Sequence, residues 1–160
     1  VPVFVRTLGN LSAILDKAVR WAEAKKIDPA VLVNARLAPD MFALARQVQI
    51  ASDAAKGCAA RLAGLEVPSF PDTEATLPEL QARIKKTIDF VQSIKPAQID
   101  GSEDKTINLK VGPREMSFKG QAYLLGFVLP NLYFHVTTAY AILRHNGLDV
   151  GKADFLGNIQ

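Results

Sequence analysis

The sequence predicts an all-α protein: a four-helix bundle with a crossover connection, carrying a small β-hairpin around residues 105–118. Three observations predict it. Long stretches repeat apolar residues every three or four positions, the period of an amphipathic helix. One connection, 66–75, is too long and too proline-rich for a tight helical hairpin. A single segment, 105–118, changes its apolar period to two.

Residues 3–26 place Phe4, Leu8, Leu11, Leu15, Val19 and Ala22 on one helical face, with Trp21 near the end. Asp28-Pro29 supplies an N-cap and a first-turn proline for a short helix through about Leu37. Pro39-Asp40 is expected to open the second long helix, which runs to about Leu65. Its inward stripe of Leu44, Val48, Ala51, Ala55, Cys58 and Leu62 is mostly small, so a neighbouring helix can approach closely. The loop EVPSFPDTEA follows; fully extended at ~3.3 Å per residue it reaches about 33 Å, near the length of a 20-residue helix. That reach lets the helices on either side run parallel.

Thr76 and Glu79 form a capping box with Pro78 in the first turn, and Leu80, Ile84, Ile88, Val91 and Ile94 carry the third helix to Lys95-Pro96. Ile107, Leu109 and Val111 alternate with polar residues, Gly112-Pro113 marks a turn, and Met116 and Phe118 alternate again. Such a hairpin depends on packing against the helices. Gly120 opens the last helix, where Pro130 predicts a kink or a fresh start, since proline costs about 3 kcal/mol in a helix interior. Asn146-Gly147 ends it with a left-handed cap, and His145 in the last turn complements the helix dipole. The tail GKADFLG is too glycine-rich for a further long helix, and Lys152 and Asp154 are expected to fasten it.

At 160 residues the chain is expected to form one domain, 1–160, with a sizeable core. Hydrophobic residues make up 49% and charged residues 22%, as in ordinary globular chains. The net charge of +3 comes from 19 Lys and Arg interspersed with 16 Asp and Glu. No basic stripe with stacking aromatics is visible, so no nucleic-acid partner is expected. No stretch approaches 18 apolar residues and no leader pattern opens the chain, so no membrane partner is expected either. The chain starts at Val1 without methionine, and a residue or two is expected to precede it. Cys58 is the only cysteine, which fits a reducing, cytoplasmic setting. In its alanine-rich helix, with only Arg61 nearby as a cation, it reads as an inert buried thiol.

Residues 130–147, PNLYFHVTTAYAILRHNG, carry the chemical interest. On a helix, Asn131, His135, Thr138 and Ile142 form one stripe, flanked by Phe134 and Ala141 and by Leu132, Val136, Ala139 and Leu143. Tyr133, Thr137, Tyr140 and Arg144 occupy the far face, where the two tyrosines are candidates for a homodimer contact. A histidine within an apolar arc leaves three readings: a hydrogen-bonded core residue, the lining of a small-molecule pocket, or a metal ligand. Asn131 could equally cap a helix restarting at Pro130. No HExxH, CxxC, GxSxG or phosphate-cradling glycine loop is present, so motifs alone decide nothing about enzymatic activity.

The segments LAPDMFALARQVQIASDAAKGCAARLAG, LPNLYFHVTTAYAILRHNG and GKADFLG resemble the DinB/YfiT-like superfamily, and specifically a branch known only as a domain of unknown function. The resemblance covers most of the chain. It implies a helical bundle in which many members bind a divalent metal through three histidines, some of them as metal-dependent thiol transferases. In that register His135 takes the second histidine of the last helix, with Arg144 and Gly147 at the following arginine and glycine. The preceding histidine position is Asn131, and Gln47 is the positional candidate for the ligand on the second long helix. One imidazole and two amides are a weak set for zinc or nickel, so no cofactor is expected. The resemblance thus implies a degenerate metal pocket around Gln47, Asn131, His135 and Thr138, in a protein that binds a ligand or serves structurally. Two alternatives stand: a divalent-metal-dependent transferase or hydrolase using His135 with a carboxylate such as Asp53, and a stress-related interaction module.

Overall fold

The computed structural model describes residues 1–158, apart from the side chain of Val111. Four long helices make the bundle: α1 (Pro2–Lys25), α3 (Leu44–Ala63), α4 (Leu77–Ser93) and α7 (Leu129–His145). Shorter pieces connect them: α2 (Pro29–Val33), α5 (Pro96–Ile99), α6 (Gly120–Ala122) and α8 (Lys152–Leu156). A two-stranded antiparallel ribbon, β1 (Thr106–Val111) and β2 (Arg114–Lys119), pairs Thr106 with Lys119 and Val111 with Arg114. Its two-residue turn has Gly112 at φ 60 followed by Pro113, the order a type II′ hairpin turn requires.

Helix directions follow from which residues meet. Asp53 of α3 meets Arg83 of α4, and Leu62 lines a cavity with Ile99 beyond α4, so α3 and α4 run parallel. Gln47 meets His135 while Arg61 meets Tyr123, so α7 runs antiparallel to α3. Phe4 and Leu129 line one cavity, and Asn10 and Thr137 another, so α1 and α7 run parallel. The directions are up, down, down, up. Each helix packs on two others: α1 on α4 and α7, and α3 on α4 and α7. The core between them comprises the predicted apolar stripes, with Leu8, Leu11, Leu15, Val48, Ala55, Cys58, Leu80, Ile84, Val91, Leu132 and Ile142 all buried.

The crossover loop is held by charge. Arg83, whose side chain is 1% exposed, reaches Asp53 of α3 and Asp72 of the loop with Nη2 at 2.9 Å each. Its Nη1 donates to Glu74 at 3.0 Å and to the Pro71 carbonyl at 3.1 Å. Burial alone would discourage this charge; the Glu74 hydrogen bond and the carboxylates of Asp53, Glu74 and Asp72 more than offset it, leaving the guanidinium pKa raised. The ammonium groups of Lys56 and Lys86 each lie over the Phe70 ring, 4.1 Å from its centre. Arg46 ties Asp72 to the start of α3 as well.

Several boundaries differ from the sequence expectation. The short second helix stops at Val33, four residues early, because the Asn34 amide donates to the Ala30 carbonyl and caps it. The second long helix begins at Leu44, not Pro39-Asp40. Residues 39–41 are a turn and bend instead, held by Arg36 on the Met41 carbonyl and by Leu44 N–H on the Ala35 carbonyl at 2.9 Å. Gly64 at φ 73 caps that helix, which ends at Ala63, two residues earlier than Leu65. Before Pro130 the chain forms a π-helical stretch, Tyr123–Val128, and α7 starts at Leu129. Proline lacks an N–H and crowds the carbonyl four residues back, and the wider turn accommodates both. The last helix therefore restarts without a side-chain cap, with Val128 at the N-cap position. Asn131 lies inside α7, which corrects the reading of it as a cap. The tail folds into α8 and is fastened by Asp154 to Lys17 at 2.7 Å, while Lys152 is exposed.

Candidate functional site

His135 sits on the buried stripe of α7, 8% exposed, and faces α3. Its Nδ1 lies 2.7 Å from Oε1 of Gln47, itself 1% exposed. Gln47 Nε2 donates to the Phe42 carbonyl at 3.0 Å, which orients the amide with its oxygen toward the imidazole. An amide oxygen only accepts, so Nδ1 carries the proton and Nε2 keeps the lone pair. The ring of Phe134 stands edge-on to the imidazole at 5.2 Å. Burial, and secondarily the positive charge of Arg46, holds the His135 pKa below its ordinary value, so the ring is neutral near pH 7.

The other candidate residues are placed less closely. Thr138 is buried, but its hydroxyl donates to the Phe134 carbonyl one turn back at 2.8 Å. Asn131 is half-buried one turn before His135 on α7. Asp53, the carboxylate considered as a partner for His135, instead binds Arg83 and Lys56. Tyr140 is used within the chain, its hydroxyl 3.4 Å from the Val150 carbonyl and its ring against Phe155.

Relatives supply the context. A family model described as Domain of unknown function (DUF1993) matches residues 1–156. The chain belongs to the DUF1993 family. A crystal structure of a DinB family member protein from Shewanella denitrificans is 44% identical, with a TM-score of 0.88 over 98% of this chain and 88% of that one. No curated protein matches the chain. The DUF1993 chain is thus a DinB-like bundle, as its sequence resemblance implied.

The donors of this DUF1993 bundle do not fit a zinc or nickel centre. Among the described residues, no three His, Cys, Asp or Glu side chains converge. At His135 the Gln47 oxygen is committed to Nδ1, which leaves one free imidazole nitrogen and no second strong donor.

Sequence reasoning missed the Arg83 cluster, although a signal existed. Arg83 is three residues after Leu80 and four before Thr87, within the buried arc of α4. A charge placed there requires partners.

Cys58 is buried, and burial pushes its pKa up to about 12 against smaller opposing effects of the N-terminus and Arg61. Native protein at pH 8 is expected to resist thiol reagents, with one equivalent reacting only after unfolding; rapid native labelling would contradict the burial.

Proposed function

We propose that this DUF1993 protein is a non-catalytic DinB-like bundle whose metal pocket has become a buried hydrogen-bonded tie between α3 and α7. The observation that carries the reading is the 2.7 Å contact between His135 Nδ1 and Gln47 Oε1. That bond occupies the amide that a metal would need, and it satisfies two buried polar groups that would otherwise cost about 1–3 kcal/mol each. The role is structural: it fixes the register of the two helices that flank the core.

Elemental analysis of untagged protein, paired with His135→Ala, tests this. The wild type is expected to carry no stoichiometric zinc or nickel. The variant should lose about 2–4 kcal/mol of stability, through the cavity and the stranded Gln47 oxygen. Stoichiometric metal that disappears in the variant would overturn the proposal in favour of a metal-dependent enzyme.

The lowered His135 pKa adds a pH signature. Its folded value lies below the unfolded value, near 6.5, so the unfolded chain binds more protons between the two. The neutral ring's contribution is complete above about pH 6.5 and declines as pH falls from there through the folded pKa. Urea titrations from pH 7.5 down to 5.5 should show a steeper loss for the wild type than for His135→Gln. Equal slopes would mean that the ring does not titrate against folding.

A further inference from the structure

A second feature lies on the opposite side of α7. Between α1, α7 and α8 is an open cleft of ≈ 330 Å³, lined by Arg6, Thr7, Asn10, Tyr133, Thr137 and Phe155. That volume is at the small end of the range for small-molecule sites, about 300–1,000 Å³. Among the described residues, Arg6 is the only charged one on its walls, and no carboxylate pairs with it. Asp154, the nearest acid on α8 by sequence, is already held by Lys17.

The hydroxyls here are also uncommitted. Those of Thr87 and Thr138 are spent on the carbonyl one turn back, at 2.9 and 2.8 Å. Thr7 and Thr137 take no protein partner among the described residues, yet Thr7 is only 7% exposed and lines the cleft. Hydroxyls with no protein partner, opening onto a cleft beside an unpaired guanidinium, are a donor set waiting for an acceptor.

The wall is rigid as well. Asn10 Nδ2 donates to the Phe155 carbonyl at 3.0 Å, fixing α8 against α1. Gly157 turns the chain away at φ 64, where a Cβ would stand 2.2 Å from Asn10 Oδ1. The rings of Tyr133 and Phe155 supply apolar surface beside the donors.

We propose that this cleft binds a small monocarboxylate with an aromatic or apolar body. The Arg6 guanidinium and the Thr7 and Thr137 hydroxyls take the carboxylate, and the Tyr133 and Phe155 rings carry the body. The site is independent of the His135–Gln47 tie.

Titration of ¹⁵N-labelled full-length protein with benzoate, and separately with neutral benzamide, tests the proposal by NMR. Benzoate should give saturable shifts at the amides of Thr7, Asn10, Thr137 and Phe155, and benzamide should bind more weakly. Arg6→Gln should weaken benzoate on the order of tenfold. Thr137→Trp, which fills the cleft from an exposed position, should abolish the shifts and leave the thermal midpoint near that of the wild type. Absent or non-saturating shifts at millimolar benzoate, shifts mapping elsewhere, equal binding of benzamide, or an unchanged affinity in Arg6→Gln would each overturn it.

Discussion

Arg83→Met is expected to lower the stability of the bundle by about 3–5 kcal/mol, the usual cost of removing one partner from a buried charge cluster. For a chain of this length the thermal midpoint should fall on the order of 10 °C. The loss arises in what remains behind. Asp53 and Asp72 are 39% and 38% exposed and can turn to water, whereas Glu74 is only 12% exposed and would keep just the Gln49 amide, at 3.0 Å, with no countercharge. Neutralising that acid should therefore recover part of the loss, so Arg83→Met with Glu74→Gln should be more stable than Arg83→Met alone. Urea unfolding of the two variants measures this. A single-variant loss under about 1 kcal/mol would mean that the cluster is solvated and holds nothing.

Gly120→Ala is expected to cost about 3 kcal/mol, at the upper end for overpacking. Gly120 is buried where the hairpin rejoins the bundle, and an added Cβ would stand 2.0 Å from the Ser102 carbonyl oxygen and 3.1 Å from Leu62. Backbone on one side and core on the other leave no flexible group to yield. The neighbouring bond from Gln121 N–H to the Glu103 carbonyl, 2.9 Å, should be lost with it. Gly9→Ala is the control: nothing lies within 4 Å of its Cβ position, so removing a mid-helix glycine should stabilise by about 0.5–1 kcal/mol. Thermal melts of both variants should move in opposite directions, and a shared direction would contradict the packing described.

Where a feature depends on local pattern, the sequence disclosed it. The capping box at Thr76 and Glu79 forms as read, with Glu79 accepting from Thr76 N–H at 3.0 Å and the Thr76 hydroxyl accepting from Glu79 N–H at 3.3 Å. The crossover was legible too, because a ten-residue proline-bearing loop has the reach to return along a helix. The start of α3 was not legible. Pro39-Asp40 is a sound helix opening by itself, and the side chains of Arg36 and Gln47, each five residues away, claim the carbonyls of Met41 and Phe42 instead. The π-helical stretch was hidden for a similar reason, since Pro130 announces a disturbance without saying which turn absorbs it.

At the candidate site, helical spacing was enough to turn His135 inward, but it could not say what would meet the ring. That depends on a residue 88 positions away, and only the folded arrangement of α3 against α7 supplies it. The Arg83 cluster shows the same limit: one charge in a buried arc is visible, while its four partners come from another helix and a loop.

The order of directions, with two successive helices pointing the same way, bears on how the polypeptide matures during synthesis. α1 packs mainly on α4, α7 and α8, all of them later in the sequence, and the clasp onto α8 comes from Asp154. No early pair can settle as a self-contained antiparallel hairpin. The apolar stripe of α1 stays uncovered until α4 and α7 have been made, which makes assembly of this bundle late and cooperative.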